Sequence, residues 1–461
     1  MQKAVENQSH ENKMGRDPVL KLIISMSLPA MFSMLVQALY NIVDSYFVSQ
    51  INENALTAVS LAFPIQMLMI SVAIGTSIGI NSFISRKLGE RRQDLADSAA
   101  THGVLLAVFS WLVFALIGLF GSRAFFQCFT DIAEIVEMGT QYISICCILS
   151  FGVFVEVNLE KTLQATGNMI YPMLFQLVGA ITNIILDPIF IFGWLGLPSM
   201  GVAGAAIATV IGQIVSMFFA FYIIKAKDHA ITIRFKGFKF DWGIVKSIYA
   251  VGFPSIIMQS IGSVMNVAMN AILISFTETA VAVFGVYFKL QSFIFMPVFG
   301  LTHGVMPIMG YNFGARNKER LLSALKIGCI IALIIMAVGT IVFWVVPDLL
   351  LGIFQASGHM LQIGIPALRL ISTCFIPAAL GIMFSTLFQA VGKGTYSLII
   401  SVLRQLVILV PSAFLLAQTM QVENVWFAFP IAEIFSLLAS IFLYVRLYRK
   451  TIKPLDIKSE L

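Results

Sequence analysis

The sequence predicts an all-α integral membrane protein with twelve transmembrane helices in two pseudo-symmetric six-helix bundles. Three observations predict it. Twelve apolar stretches of about 20 residues or more fill the chain, each long enough to cross a bilayer core as a helix. Of 29 Lys and Arg residues, 25 fall in the tails and alternate connections, which places them on one side of a membrane. The chain also matches itself at a constant offset of 225 residues.

Span 1 covers 19–47. It is too long for a signal-peptide core and lacks a small-residue cleavage site, so it reads as an uncleaved helix. Span 2 (55–85) runs into RKLGERR, the first basic connection. Spans 3 (98–120) and 4 (139–160) flank an outer loop whose one basic residue is Arg123. Lys161 then marks a return to the basic side, and spans 5 (170–194) and 6 (201–224) close the first half. Spans 7 (248–275), 8 (279–309), 9 (324–346), 10 (364–388), 11 (395–418) and 12 (425–446) repeat that pattern. Trp194, Trp242, Trp344 and Trp426 fall near span ends, as an interfacial aromatic belt requires. The expected organisation is a tail 1–18, a first lobe 19–225, a linker 226–246, a second lobe 247–446 and a tail 447–461. Both tails and the linker are expected to be cytoplasmic, in a multi-pass cell-membrane protein surrounded by lipid.

Composition excludes other classes. Hydrophobic residues are 59% and charged residues 11% of the 461, whereas a soluble domain carries about 25% charged residues. Such a chain cannot cover a soluble surface. The five cysteines form no CxxC pair, so neither a disulfide framework nor a metal site is indicated. The net charge of +6 follows from the basic face turned to anionic lipid. RFKGFKF (234–240) mixes basic and aromatic residues, but no clustered basic face points to nucleic acid.

At offset 225, Leu28-Pro29 meets Phe253-Pro254, and Gly75 and Gly79 meet Gly300 and Gly304. Gly89 and Arg91 meet Gly314 and Arg316, and Gln164, Ala165 and Gly167 meet Gln389, Ala390 and Gly392. Six spans per half give both halves the same topology, a parallel repeat of the kind secondary transporters use for alternating access. The sequence has no HExxH, GxGxxG or GxxxxGK[ST] motif and no paired histidines on a helix face; an ion gradient is the energy source it leaves. No enzyme activity and no cofactor are expected.

Ionisable residues inside spans are then the functional candidates. Asp44 lies six residues, roughly 9 Å, inside Gln50 taken as the outer end of span 1, and Asp187 lies seven residues, roughly 10 Å, from Trp194 at the outer end of span 5, at about 1.5 Å per residue. Asn183 shares the helix face of Asp187. Pro188 lacks an N–H and frees the carbonyl of Ile184. These oxygens suit a small cation, and a buried carboxylate equally suits a proton. Thr209 in span 6 lies near the same layer. The competing structural readings are that Asp44 marks a frayed helix end and that Asp187-Pro188 is a kink. Glu156 and Glu160 lie toward the inner end of span 4, where Glu160 has Lys161 as an interfacial partner. Glu433 in span 12 is expected to form a structural pair with Lys289 or Arg404.

With SLPAM, YNIVDSYFVSQ, GTSIGINSFISRKLGE, LQATGNMIYPM, NIILDPIFIFG and GVAGAAIAT in this order, the chain resembles the multidrug and toxic compound extrusion (MATE) family. Within it, the chain is similar to the MepA-like, DinF-type bacterial multidrug exporters. GVMPIMGYNFGARN and the IAE around Glu433 extend the resemblance through the second half. The resemblance implies an antiporter that expels cationic or amphipathic drugs in exchange for H+ or Na+ and confers drug resistance. It implies that the residue matching Asp44 is protonated and that span 1 bends at Pro29. It implies a cluster of Asp44, Asp187, Asn183, Tyr142 and Thr209, with Na+ held, if at all, by Asn183, Asp187 and Thr209. The NorM-type branch uses carboxylates in helices 7 and 10, and this chain has none in spans 7, 8 or 10. Competing assignments are a lipid-linked oligosaccharide flippase of the same superfamily and a major-facilitator transporter. The first wants a strongly basic cavity; the second wants GxxxDRxGR where this chain reads RKLGERRQDL. A membrane enzyme or scaffold lacks any supporting constellation.

Overall fold

A computed structural model of the chain describes residues 12–458 apart from 228, 355 and 357. Residues 1–11 and 459–461 of the two expected tails lie outside the described residues. The long helices are α1 (Val19–Ser49), α2 (Glu53–Gly89), α3 (Gln93–Phe120), α4 (Ala133–Ile148), α5 (Phe151–Ala165), α6 (Ile170–Phe192) and α7 (Gly201–Ala226). They continue as α8 (Trp242–Leu273), α9 (Glu278–Gly314), α10 (Lys318–Val345), α11 (Gly358–Ser372), α12 (Phe375–Ala390), α13 (Gly394–Ala417) and α14 (Ala428–Leu447). Among the described residues there is no strand. Ten helices are long and apolar enough to span a membrane, and α4–α5 and α11–α12 each make a further span as a bent pair.

Two expectations change. Spans 4 and 10 are not continuous: they bend by 45° and 46° between α4 and α5 and between α11 and α12. Hydropathy cannot mark these breaks, because the residues on both sides are apolar. The side chains at the breaks bond to their own backbone: Ser150 Oγ donates to Cys147 O (2.8 Å) and Cys374 Sγ to Ile371 O (2.8 Å). Such local bonds compete with the helical ladder. The helices also overrun the apolar stretches at their basic ends. A span count stops where charge begins, but a helix continues until its last carbonyls are capped.

The caps show the repeat in the backbone. Arg91 and Arg316 both take the left-handed conformation, at φ 58° and 56°. After α2, Arg92 N–H donates to Lys87 O and Arg91 N–H to Leu88 O; after α9, Asn317 N–H donates to Asn312 O and Arg316 N–H to Phe313 O. These are paired Schellman closures. Gly167 and Gly392 close α5 and α12 the same way, at φ 89° and 83°. At the other membrane side, Asn52 caps α2 through Ala55 N–H (2.7 Å) and Thr277 caps α9 through Ala280 N–H (3.0 Å).

The chain forms two compact units, and their borders fall inside α1 and α8. One unit is Phe32–Ile256; the other is the chain up to Met31 together with residues from Ile257 on. In the first unit, the first half of α8 lies on α2 at Gly75 and Gly79. A Cβ on Gly75 would stand 2.7 Å from Ile256 N, and one on Gly79 would stand 2.9 Å from Gly252 N. In the second, the first half of α1 lies on α9 at Gly300 and Gly304. Added Cβ atoms there would stand 2.6 Å from Met31 Cα and 2.8 Å from Ser27 N. The contact partners are also 225 apart. Small residues let backbones touch where lipid removes the ordinary hydrophobic drive to pack.

The segment between α7 and α8 is strapped to α3 within the first unit. Asp97 accepts from Thr232 N–H (2.9 Å) and Thr232 Oγ (2.8 Å). Buried His102 accepts from Asp241 N–H at Nε2 (2.9 Å), while its Nδ1 faces Ser98 O at 2.8 Å. An N–H can only donate and a carbonyl can only accept, so the proton sits on Nδ1. Phe238 and Phe240 pack on the imidazole with centroid distances of 4.7 and 5.2 Å.

Candidate functional site

The candidate site lies wholly in the Phe32–Ile256 unit. Glycines set its frame by bringing α6 against α7. A Cβ on Gly212 would stand 2.8 Å from Gly179 O, and one on Gly204 would stand 2.6 Å from Phe190 C. This close pairing turns one face of α6 (Phe175, Gly179, Asn183, Asp187) onto one face of α7 (Thr209, Gly212, Ser216), following the i, i+3, i+4 spacing.

Asp187 is fully buried, and Asn183 and Thr209 nearly so. The amide of Asn183 is oriented by its neighbours. With its NH2 toward the carboxylate, it donates to Asp187 Oδ2 at 3.0 Å. Its carbonyl oxygen then accepts from Thr209 N–H (3.0 Å) and Thr209 Oγ (3.2 Å). Asp44 of α1 lies within electrostatic reach of Asp187, and its Oδ1 is sealed from solvent with no hydrogen-bond partner among the described residues. Tyr142 of α4 is buried, accepts from Gln66 Nε2 at 3.0 Å and lies near Asp44. The structure therefore brings together all five expected residues: Asp44, Asp187, Asn183, Tyr142 and Thr209.

Three members were not anticipated. Tyr40, one turn before Asp44, is hydrogen-bonded to Thr209 and lies near both carboxylates. Gln66 orients Tyr142, and Cys146, one turn after Tyr142, is hydrogen-bonded to it. The i, i+4 spacing of Tyr40 from Asp44 was a legible signal. Gln66 gave only a weaker one, as an amide two residues after Pro64 in an apolar helix.

Pro29 sits inside α1, which runs unbroken from Val19 to Ser49. Its ring leaves the carbonyl of Ser25 without the usual i+4 donor. Pro29 and the unit border at Met31 thus fall within one turn of each other.

Glu160 does pair with Lys161, at 3.2 Å, but the pair is buried in α5 and not exposed at the interface. The helix runs on to Ala165, which carries Lys161 inside the bundle instead of into a loop. Glu156, one turn earlier on α5, is buried as well. Glu433 of α14 faces Arg404 of α13 at 3.6 Å, so Arg404 is its partner and not Lys289. Lys289 instead lies over the ring of Phe354, 5.8 Å from its centroid. Arg404 belongs to a π-helical stretch, Leu403–Leu409, ahead of Pro411. Pro411 removes the N–H that would bond the Val407 carbonyl. Among the described residues no group of three or more His, Cys, Asp or Glu could hold a metal ion.

The MatE family profile matches residues 29–189 and again 254–415. The two matches begin 225 residues apart, at the repeat offset. The chain is 25% identical to the multidrug export protein MepA of Staphylococcus saprophyticus over 445 residues, covering 96% of this chain and 97% of that one. It is 25% identical to MepA of Staphylococcus aureus strain RF122 over 427 residues, covering 92% and 93%. It is also similar to a solved structure described as the outward-facing conformation of a multidrug resistance MATE family transporter of the MOP superfamily. That likeness has a TM-score of 0.90 at 28% identity and covers 97% of this chain and 99% of that one.

Proposed function

This chain belongs to the MatE family, and from that premise we propose that it is a secondary active multidrug exporter. It expels cationic or amphipathic drugs in exchange for protons by alternating access. The buried cluster of Asp44, Asp187, Asn183, Thr209, Tyr40 and Tyr142 carries this reading. Two carboxylates in an apolar bundle with no Lys or Arg acting on them among the described residues are costly as a pair of anions. A bound cation or proton relieves that cost, so occupancy is coupled to the arrangement of the helices.

The hydrogen bonds favour a proton over Na+. A sodium ion wants several free oxygens. The carbonyl oxygen of Asn183 is engaged by Thr209 N–H and Oγ, and the phenolic Tyr40 is engaged with Thr209. The carboxylate oxygens and the Ile184 carbonyl freed by Pro188 are what remain, fewer oxygens than a sodium ion wants, whereas a carboxylate needs only a proton to become neutral. Ethidium efflux from proteoliposomes under an imposed pH gradient or an imposed Na+ gradient tests this. The pH gradient is expected to drive efflux and the Na+ gradient is not. Efflux driven by Na+ alone would replace the proton by sodium, and no efflux in either would end the exporter reading.

We also propose that the basic ends of the helices face the cytoplasm, because Lys and Arg resist translocation. Single cysteines at Leu195 and Lys236, both exposed, in an otherwise cysteine-free chain should label oppositely in intact cells with an impermeant thiol reagent. Labelling at Lys236 and not at Leu195 would invert the topology.

A further inference from the structure

A buried carboxylate with no cation hydrogen-bonded to it among the described residues lies below the cluster, in the same unit. Along α7, Ser216 follows Thr209 by seven residues on one face, about 10 Å toward the basic side at 1.5 Å per residue. Glu156 of α5 meets Ser216 there.

Glu160, one turn further, is fully provided for. Its Oε1 accepts from Gln164 Nε2 (2.7 Å) and Lys161 Nζ (3.2 Å), and its Oε2 accepts from Gln176 Nε2 (2.9 Å). Lys161 in turn donates to Gln164 Oε1 (3.0 Å). Lys161 also lies within electrostatic reach of Glu156, but its ammonium is bonded to Glu160 and Gln164, and among the described residues no cation is hydrogen-bonded to Glu156. Its one polar contact among the described residues is to Ser216 Oγ at 3.4 Å. Ser216 has a single hydroxyl proton, and that is donated to Phe175 O at 2.7 Å. A carboxylate at Glu156 would compete at 3.4 Å with the closer Phe175 O for the one Ser216 proton and would face Glu160 one turn away with like charge. A carboxylic acid there donates its own O–H to Ser216 Oγ, and every partner is satisfied.

The charged groups on the helices packed against α5 are engaged elsewhere. On α2, Arg86 Nε donates to Ser82 O (3.0 Å) and Lys87 pairs with Glu90. On α3, Asp97 and His102 hold the α7–α8 segment. On α6 the charged group is Asp187 itself, and on α7 Lys225 is exposed in the last turn.

We infer that Glu156 is a second proton-binding site, placed between the Asp44–Asp187 cluster and the basic side, and that it sets the pH dependence of transport from that side. The inference rests on proton coupling at the cluster. Binding converts the carboxylate and one proton into the acid, whose O–H goes to Ser216 Oγ while the Ser216 hydroxyl stays on Phe175 O. Discharge returns the proton and leaves an anion that the bundle must expose to water or to a cation, so loading of Glu156 depends on the helix arrangement.

Infrared difference spectra of the purified full-length protein against pH, with efflux assays in proteoliposomes, test this. Glu156→Gln is expected to remove one protonated-carboxyl C=O band at neutral pH. It is also expected to flatten the dependence of ethidium transport on pH at the basic side. Ser216→Ala should shift that same band to higher frequency by removing its acceptor, and should leave any other carboxyl band in place. A Glu156→Gln protein that keeps every wild-type carboxyl band and the wild-type pH profile overturns the inference. If Glu156→Gln fails to fold, an unmoved spectrum in Ser216→Ala overturns it equally. Asp44→Asn and Asp187→Asn separate the two claims: if neither alters coupling while the Glu156 band is present, the cluster reading fails and the Glu156 site stands.

Discussion

Asp44→Asn and Asp187→Asn are each expected to abolish ion-driven ethidium efflux while the protein still reaches the membrane. Asn keeps the shape of the side chain and removes its charge, so the packing of α1 and α6 survives. Coupling does not, because an ion that binds both helix arrangements equally shifts neither. Glu433→Gln is the matched control in the other unit. Glu433 is buried beside Arg404 with the same kind of carboxyl loss, yet that variant should retain much of the transport. At the repeat offset, Asp44 corresponds to Met269 and Asp187 to Ser412, so the second half has no carboxyl at the duplicated positions. Wild-type efflux in both Asn variants together with a dead Glu433→Gln would move the coupling site to the second half of the chain.

Gly79→Val and Gly304→Val should cost the protein its compact units. At Gly79 an added Cβ would run into the backbone of α8 around Ile248 and Gly252, and at Gly304 into that of α1 around Ser27. Backbone cannot rotate away as a side-chain tip can, so the half-helices must separate. Overpacking of this kind costs about 1–3 kcal/mol where the structure relaxes, and more where it cannot. Thermal unfolding of the detergent-purified protein reads the loss. Gly285→Val, with nothing within 4 Å of its Cβ position, should unfold close to wild type. Equal melting of all three variants would mean that the glycine contacts do not hold the units together.

The sequence by itself determined the number of spans, the sidedness of charge and the duplication. These depend on properties that local composition carries: apolar length, Lys and Arg placement, and Gly, Pro and Arg at repeated loop positions. It also made Asp44, Asp187 and Asn183 conspicuous, because a charge in an apolar helix is costly wherever that helix ends up. The family resemblance added Tyr142, and the structure placed it with them.

Tertiary structure alone decided the rest. The bends between α4 and α5 and between α11 and α12 lie in apolar sequence, where hydropathy has nothing to mark them. The borders of the units cut α1 and α8 in two, because each basic-side half-helix finds its glycine slot on a helix of the other repeat. No pattern within α1 records that partner. Lys161 reads as an interfacial residue in the sequence, and burial turns it into the counter-charge that satisfies Glu160. That pairing leaves Glu156 without an ion pair of its own among the described residues: a charge balance depends on which side chains meet, and they meet only when α5, α6 and α7 close on one another.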